Sequence, residues 1–378
     1  MHIATAAIQG FRNLAEMDFE FSPRVNIIRG ENGQGKTNLL EALNFIAMGR
    51  SHRGSQTEEL IPFAGQHLHV HVGVQDENGR LCSFEYGMER SGERRFRIDG
   101  RLVRRRADLV GVFCSVVFSP ESIGLIRGGP DRRRRFLDQG LCTLDPDYLR
   151  HWQAYSRASR QKAMVLKDMR QGRRPPDSGR RELQAWNREL AAHGTPILQA
   201  RAEYCKLLEP FAAEIHGELA GGVGVLDMAY KPGLQGWDSL SESVDLERDI
   251  LAQFDYIREV EIRRGRPLRG PQFDDCEIRL DGHDVRTFGS QGENRTAAIA
   301  LILAQSEVVF RKRRIRPVLF FDDIFSELDR GRARQLQERS VQRHQVFIAT
   351  ARMDDVAGWR PEGLKIWEIH GGRCEVVA

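Results

Sequence analysis

Residues 25–43 read VNIIRGENGQGKTNLLEAL, and this stretch constrains the chain more than any other. Val25–Ile28 reads as a short apolar strand. A glycine-bearing turn follows, and a helix begins at Lys36-Thr37. Gly30, Gly35, Lys36 and Thr37 stand at the fixed places of G-x-x-x-x-G-K-[ST]. Glycines let backbone N–H groups turn inward around phosphate oxygens, and the helix N-terminus adds partial positive charge. Glu31, Asn32, Gly33, Gln34 and Asn38 belong to the same cradle. Lys36 would bring a point charge to the β- and γ-phosphates of a nucleotide, and the Thr37 hydroxyl is of the type that ligates Mg²⁺. Many unrelated proteins hold a nucleotide this way, so the rest of the site has to be found elsewhere.

A phosphate loop needs a metal-holding carboxylate at the end of a neighbouring strand. PVLFFDDIFSELD at 317–329 supplies one: four apolar residues, Val318–Phe321, run into Asp322-Asp323. Asp322 would hold the metal ion, and Asp323 would orient or deprotonate an attacking water. Taken alone, two acids after an apolar run could simply cap a strand. Small GTPases and simple nucleotide kinases reach this carboxylate soon after the loop, whereas here nearly the whole chain intervenes. That layout fits an ABC-type ATPase with a helical lobe inserted between its halves. Such ATPases present a serine and glycine at a helix N-terminus to the nucleotide of a second subunit. TFGSQGENRTAAIALILAQ at 287–305 matches, with Ser290 and Gly292 opening an apolar helix. A hydroxyl, N–H groups and the helix dipole would all face a γ-phosphate.

The pattern along the chain predicts an α/β, ABC-type P-loop ATPase head: a mixed β-sheet lobe with an inserted, mainly helical lobe. The ATPase lobe is expected over 1–119 and 300–378, and the helical lobe, carrying the signature motif, over 120–299. Strands are expected at His2–Ile8, Arg24–Ile28, Leu68–Val74, Leu81–Tyr86, Arg94–Ile98 and Gly111–Phe118. Turn signals such as Asp99-Gly100 separate them. Beyond Ser119-Pro120 the pattern turns helical. Asp145-Pro146 is an N-cap followed by proline at the first helical position. Leu183, Trp186 and Leu190 mark a second helix, and Tyr204 to Leu219 a third. Gly221–Gly236 is expected as strand or turn, and Asp245–Arg264 as a charged helix. A strand at Asp275–Leu280, a long helix at Glu293–Phe310, strands at Pro317–Phe321 and Gln345–Thr350, and a terminal hairpin complete the order.

The chain has 378 residues, enough for one large domain or two of ordinary size. Six scattered cysteines without a C-x-x-C pair suit a reducing compartment better than a disulfide framework. No stretch reads as a secretion leader or membrane span, so a soluble cytoplasmic protein is expected. The net charge is only +4, but residues 120–182 hold 15 Lys+Arg against 8 Asp+Glu. Arginine runs stand at Arg101, Arg104–Arg106, Arg132–Arg135, Arg173-Arg174, Arg180-Arg181 and in RKRRIR at 311–316. Such runs bind phosphate backbones without reading sequence, or they simply pair with nearby acids. The Arg132–Arg135 run is expected to be split between the two. His67, His69 and His71 would line one strand face, better explained by exposure than by zinc.

FRN at 11–13, GENGQGKTNLLEAL at 30–43, VVFSPESIGLIRGGPDRRRRFLD at 116–138, SQGENRT at 290–296 and VLFFDDIFSELD at 318–329 together resemble the RecF family. These are bacterial recombination-mediator ATPases related to the heads of structural-maintenance-of-chromosomes proteins. The resemblance covers almost the whole chain in order. It implies an ATP- and Mg²⁺-dependent homodimer that binds DNA near duplex–single-strand junctions and works with RecR and RecO to help load RecA in repair, replication and the SOS response. It implies Lys36 and Thr37 as phosphate and metal residues, Asp322 as metal aspartate, Asp323 as catalytic acid, and Ser290 and Gly292 acting in trans. Asp329 would lie at the dimer interface, and Arg12 and Asn13 would approach the nucleotide.

There are departures from the wider ABC pattern. The catalytic position is an aspartate, as is usual in this family, and its short reach suggests slow turnover. The family's usual SQGQQR is SQGENR here, which puts the carboxylate of Glu293 at a helix start facing a phosphate. Thr350 ends the strand after which transporters carry a switch histidine, and VVFSPE holds no metal-sensing glutamine. A non-hydrolysing ATP-bound DNA scaffold, a transporter ATPase subunit and a soluble kinase are the rival readings.

Overall fold

The computed structural model describes residues 1–51, 53, 57–234, 245–356 and 358–377. It divides into two compact units: residues 1–123, 214–224 and 291–378 form one, and residues 124–213 and 225–290 the other.

The first unit holds two six-stranded sheets. In the antiparallel one, Met17–Glu20, His2–Gln9, His67–Gln75, Leu81–Glu89, Arg94–Ile98 and Arg101–Leu102 lie side by side in that order. Its strands alternate. Leu68, Val70 and Val72 point into the core, and His67, His69 and His71 point away from it. This is the period of a sheet covered on one face only. The tight turn at Asp99-Gly100 has both residues at positive φ, 48° and 74°, which suits a two-residue hairpin.

The other sheet is built on a different rule. Its order is Arg373–Val376, Leu364–His370, Val25–Arg29, Val346–Thr350, Val318–Asp322 and Ser115–Phe118. All neighbours run parallel except the terminal hairpin. Val318–Asp322 and Val346–Thr350 are buried at every position, as expected of parallel strands covered on both faces. The helix Lys36–Met48 shares one apolar core with both sheets, through Leu39, Leu43 and Phe45 against Val70, Phe320 and Phe347. Gln345, just before the strand Val346–Thr350, ties the two sheets together: its side chain accepts from Ile3 N at 2.7 Å and donates to Ile3 O and Ser22 O at 2.8 and 2.7 Å.

The sequence reading assigned residues 120–299 to the helical lobe, whereas the sheet-bearing unit takes everything from Gln291 onward. The helix Gln291–Arg313 is buried from Asn294 to Val309 except at Arg295 and Gln305, and it packs on the strand Ser115–Phe118 and the turn Pro120–Ile123. A helix is a rigid rod, so its first turn goes with the surface that the rest of it covers.

In the second unit, helices Pro130–Leu144, Pro146–Arg170 and Leu246–Arg264 accompany a small antiparallel sheet of His283–Asp284, Asp275–Leu280 and Leu226–Lys231. Asp145 caps the second of these helices, accepting from Asp147 N at 2.8 Å, and Asp245 caps the third, accepting from Arg248 N at 3.1 Å. The two helices expected over Leu183–Leu219 are one, Pro176–Leu219, despite Pro196 and Pro210 inside it. Its buried stripe of Leu190, Ile197, Leu198, Tyr204, Leu208 and Ile215 runs through both prolines, so packing overrides their cost. Gly221–Gly236 contains the strand Leu226–Lys231, and its last two residues lie outside the described set.

Arg201 is the polar hub of this unit. Its guanidinium meets Asp138 at 2.8 Å and Asp274 at 2.6 Å and donates to Pro271 O at 2.7 Å. Asp274, fully buried, also accepts from Tyr230 Oη at 2.5 Å and Gly233 N at 2.7 Å. Removing one partner of a buried pair strands the other, so Arg201→Ala is expected to cost about 3–5 kcal/mol. Calorimetry should show the loss; an unchanged melting profile would refute the hub.

His344 gives the first unit a pH dependence. Burial pushes its imidazole down from 6.5 to about 4, although Nδ1–H donates to Pro317 O at 2.8 Å. The unfolded chain therefore takes up the proton first. The contribution is complete above pH 6.5 and lost as pH falls towards 4, by at most about 3 kcal/mol. Urea midpoints measured across that range should fall less steeply in His344→Gln than in the parent chain; equal slopes would assign the sensitivity elsewhere.

Candidate phosphate-binding and carboxylate site

Three parallel strands bring the expected pieces together. Ile28 pairs with Ala349, and Ala349 with Asp322. The turn after Val25–Arg29 and the acids after Val318–Phe321 therefore emerge at the same edge, the carboxyl end of the sheet, where ligands of open α/β sheets bind.

The loop leaves the strand at Gly30, with φ of 156°; a Cβ there would sit 2.4 Å from Ile369 O. Gly35, with φ of 118°, opens the helix. Both positions need glycine. Neighbouring segments brace the loop from outside. Gly371 N donates to Gln34 Oε1 at 2.6 Å and Gly372 N to Gln34 O at 3.1 Å. Asn13 Nδ2 donates to Gly33 O at 3.2 Å, and Asn38 Nδ2 to Asn13 Oδ1 at 2.7 Å. Glu31, Asn32 and Gly33 are exposed.

Lys36 is buried, and its ammonium donates to Gly30 O at 2.7 Å and Glu31 O at 2.9 Å. Burial lowers its pKa, against the pull of Asp323 and Asp322. A compact cation inside a ring of loop backbone is a ready anion partner. Thr37 Oγ1 donates to Asp322 Oδ1 at 2.9 Å. Burial pushes the Asp322 carboxyl up to about 6; the Thr37 hydrogen bond and Arg53 oppose the rise, and Asp323 and Glu121 add to it. A hydroxyl and a carboxylate this close are hard oxygen donors of the kind Mg²⁺ prefers.

Asp323 has φ of 53°, in the left-handed region that non-glycine residues rarely occupy. Its N–H donates to Ala349 O at 2.9 Å, and its carbonyl accepts from Ser326 Oγ at 2.9 Å. A fixed but unfavourable backbone at an acid in a polar site is a common mark of function. Thr350, at the adjoining strand end, is buried, and its hydroxyl bonds Arg352 N and O at 3.0 Å.

Other expected residues sit less centrally. Arg12 is engaged with the buried Glu41 of the loop helix, Nε to Oε2 at 2.7 Å and NH2 to Oε1 at 3.0 Å. Asp329 caps the helix Arg330–Arg343, accepting from Arg332 N at 3.0 Å, and its side chain is 62% exposed. Ser290 is exposed in its own unit, directly before the helix that begins at Gln291. Gly292 O accepts from Thr296 Oγ1 at 2.9 Å, and Glu293 follows in the first turn.

The sequence reading missed Glu41, Arg53 and Glu121. Glu41 carried a signal, an acid in the middle of the apolar run NLLEAL. Arg53 and Glu121 belong to no fixed pattern; both bear on the Asp322 carboxyl, and Arg53 also lies 3.7 Å from Glu41 and donates to Asn38 Oδ1 at 3.4 Å. His69 Nε2 lies 3.1 Å from Glu85 Oε1, and His71 Nε2 lies 2.9 Å from Ser83 Oγ. Among the described residues no three metal-ligating side chains converge, and no helix is long and apolar enough to cross a membrane.

The profile of the RecF/RecN/SMC N terminal domain matches residues 2–360. The DNA replication and repair protein RecF of Acetivibrio thermocellus is 34% identical over 348 residues, 92% of each chain. That of Bacillus thuringiensis is 34% identical over 381 residues, covering 100% of this chain and 99% of its own. The recombination mediator protein RecF with ATP, solved as part of the RecFOR pathway, superposes with a TM-score of 0.89 at 28% identity, over 100% of this chain and 98% of that one. The Smc head domain of Pyrococcus furiosus, 17% identical with a TM-score of 0.56, shares the ATPase-head fold. The agreement in sequence over the full length, in fold and in the order of the site segments shows that this chain belongs to the RecF family, within the RecF/RecN/SMC N-terminal domain group.

Proposed function

We propose that this chain is an ATP-dependent DNA-binding protein of recombinational repair and replication-fork maintenance, a slow ABC-type ATPase. In this reading, its ATP-bound dimer clamps DNA near duplex–single-strand junctions. The observation that carries the proposal is the meeting of the Lys36-Thr37 loop with Asp322, the Thr37 hydroxyl 2.9 Å from the carboxylate, and Asp323 beside it. The relatives named as DNA replication and repair proteins support the repair setting, and the RecF structures with ATP support the nucleotide. The RecFOR pathway named for those structures supports RecR and RecO as partners; help in loading RecA is what the family resemblance implies. Six free cysteines suit the cytoplasm.

The roles follow from the chemistry. Lys36 would exchange the Gly30 and Glu31 carbonyls for β- and γ-phosphate oxygens. Mg²⁺ would be held by Thr37 and Asp322, where it neutralises phosphate charge. Asp323 would orient or deprotonate the attacking water, its direction set by the Ala349 and Ser326 contacts. Asn13 would steady the loop, and Arg12 would act through Glu41 on the loop helix. Ser290 and Gly292 of a second copy would present a hydroxyl and N–H groups to the γ-phosphate, with Asp329 at the seam. Hydrolysis would then release the clamp, as a switch.

Light scattering with saturating ATP tests this. Lys36→Ala should stay monomeric, and Asp323→Asn should remain a dimer. A monomeric Asp323→Asn would overturn the trans site. Steady-state phosphate release should fall about 10²-fold or more in Asp323→Asn. If the parent chain releases no more phosphate than that variant, the chain is a non-hydrolysing ATP-bound scaffold.

A further inference from the structure

Arginine runs are conspicuous in the sequence, but the structure engages several of them internally. Arg133 forms a two-pronged pair with Asp275 at 2.6 and 3.0 Å, and Arg134 donates to Asp274 O at 2.6 Å. Arg173 pairs with Asp168 at 2.9 Å, Arg174 with Asp168 and Glu182, and Arg180 with Glu259 at 3.3 Å. Arg106 carries a side chain outside the described set. Charge density along the chain is therefore a poor guide to charge free at the surface.

The helix Pro146–Arg170 shows the opposite case. One face is buried through Tyr148, Tyr155, Lys162 and Leu166. On the other, Arg150, Gln153, Arg157, Arg160, Met164 and Lys167 are exposed. They recur at steps of three and four, the spacing that keeps side chains on one helix face. Among the described residues, Arg157, Arg160 and Lys167 have no carboxylate partner. The acids bordering the stripe are already taken, Asp147 by Arg150 and Asp168 by Arg173 and Arg174. At 1.5 Å per residue, Arg157 and Lys167 stand about 15 Å apart along the axis. A duplex lying along it would show about four phosphates per strand over that length.

We propose that this face is a track for the sugar-phosphate backbone of duplex DNA, carried by Arg157, Arg160 and Lys167. The inference rests on the reading of the chain as a DNA-binding protein and says where part of that binding lies. A straight row of unpaired cations complements a polyanion of regular charge. Its one apolar member is Met164, 57% exposed, and it lacks the aromatic anchor that usually dominates a protein–protein contact. Because the contacts are to phosphate, they would carry affinity and salt dependence but no sequence preference.

The test uses the full chain with ATP and a labelled duplex bearing a single-stranded extension, titrated by anisotropy from about 50 to 300 mM salt. Arg157→Gln/Arg160→Gln should weaken binding about tenfold per arginine at 0.1 M salt and flatten the slope of log K against log salt by about 1.8. The melting temperature should not change, since both side chains are exposed; ATP-dependent dimerisation should also hold, since neither residue belongs to the loop, the carboxylates or the Ser290 segment. Arg334→Gln, which removes a cation paired with Glu338 at 2.8 Å, should leave the slope as it was. If the parent chain binds and the double variant matches it, the track is wrong and the DNA reading stands. If the parent chain fails to bind at low salt, the DNA reading itself falls. Loss of an acidic protein partner in the double variant, with DNA affinity intact, would reassign the face to that partner.

Discussion

The hydrogen bond from Thr37 to Asp322 joins residues 285 positions apart, and everything proposed for the site depends on it. It exists because three strands run parallel and in register. A shift of one residue in either pairing would carry the loop away from the acids and would turn the buried side chains of Val318–Asp322 to the opposite face. The two-sheet core therefore does more than stabilise: it sets the distance between the Gly30–Thr37 loop and the Asp322 carboxylate. Asp322 is held there at a cost, since burial, with Asp323 and Glu121 adding to it, raises its pKa to about 6 against the Thr37 hydrogen bond and Arg53. A carboxyl kept dry beside a hydroxyl and a second acid is better satisfied by a cation than by water, which fits the metal role proposed for it.

The helical unit is held together differently. Its centre is a polar hub in which Arg201 and Asp274 satisfy one another across a helix, a strand and a loop. Buried ion pairs are expensive, but they tolerate few alternative geometries, so such a hub favours one arrangement of helices and sheet. It leaves the outer face of Pro146–Arg170 free of structural duty, and the unpaired cations lie on that face.

The legible parts of this molecule were those written in backbone chemistry. Gly30 and Gly35 must be glycine because of φ and close approach, and an apolar run followed by two acids has few other uses once a phosphate loop is present. Strand positions followed from alternation in one sheet and continuous burial in the other. Tertiary facts were less legible. The stretch Leu183–Leu219 read as two helices because local pattern does not show the apolar stripe that carries one helix through Pro196 and Pro210. The split placed at residue 300 ignored the packing of Gln291–Arg313 on the sheet. The pairing of Arg12 with Glu41, buried on the loop helix, was not legible either, because it depends on how the first hairpin packs on that helix. The left-handed backbone at Asp323 has no sequence signal at all, and the cationic stripe was hidden because its members are seldom adjacent.

The central claim is that a working site is shared by two chains, loop and carboxylates from one and Ser290 from the other. Mixing Lys36→Ala with Ser290→Arg tests it most directly, by steady-state phosphate release. Each variant alone should be inactive. In the mixture, only a mixed dimer would pair an intact loop with an intact signature, at one of its two sites, so phosphate release should rise clearly above that of either variant while staying below the parent rate. A mixture no more active than its components would contradict a shared site.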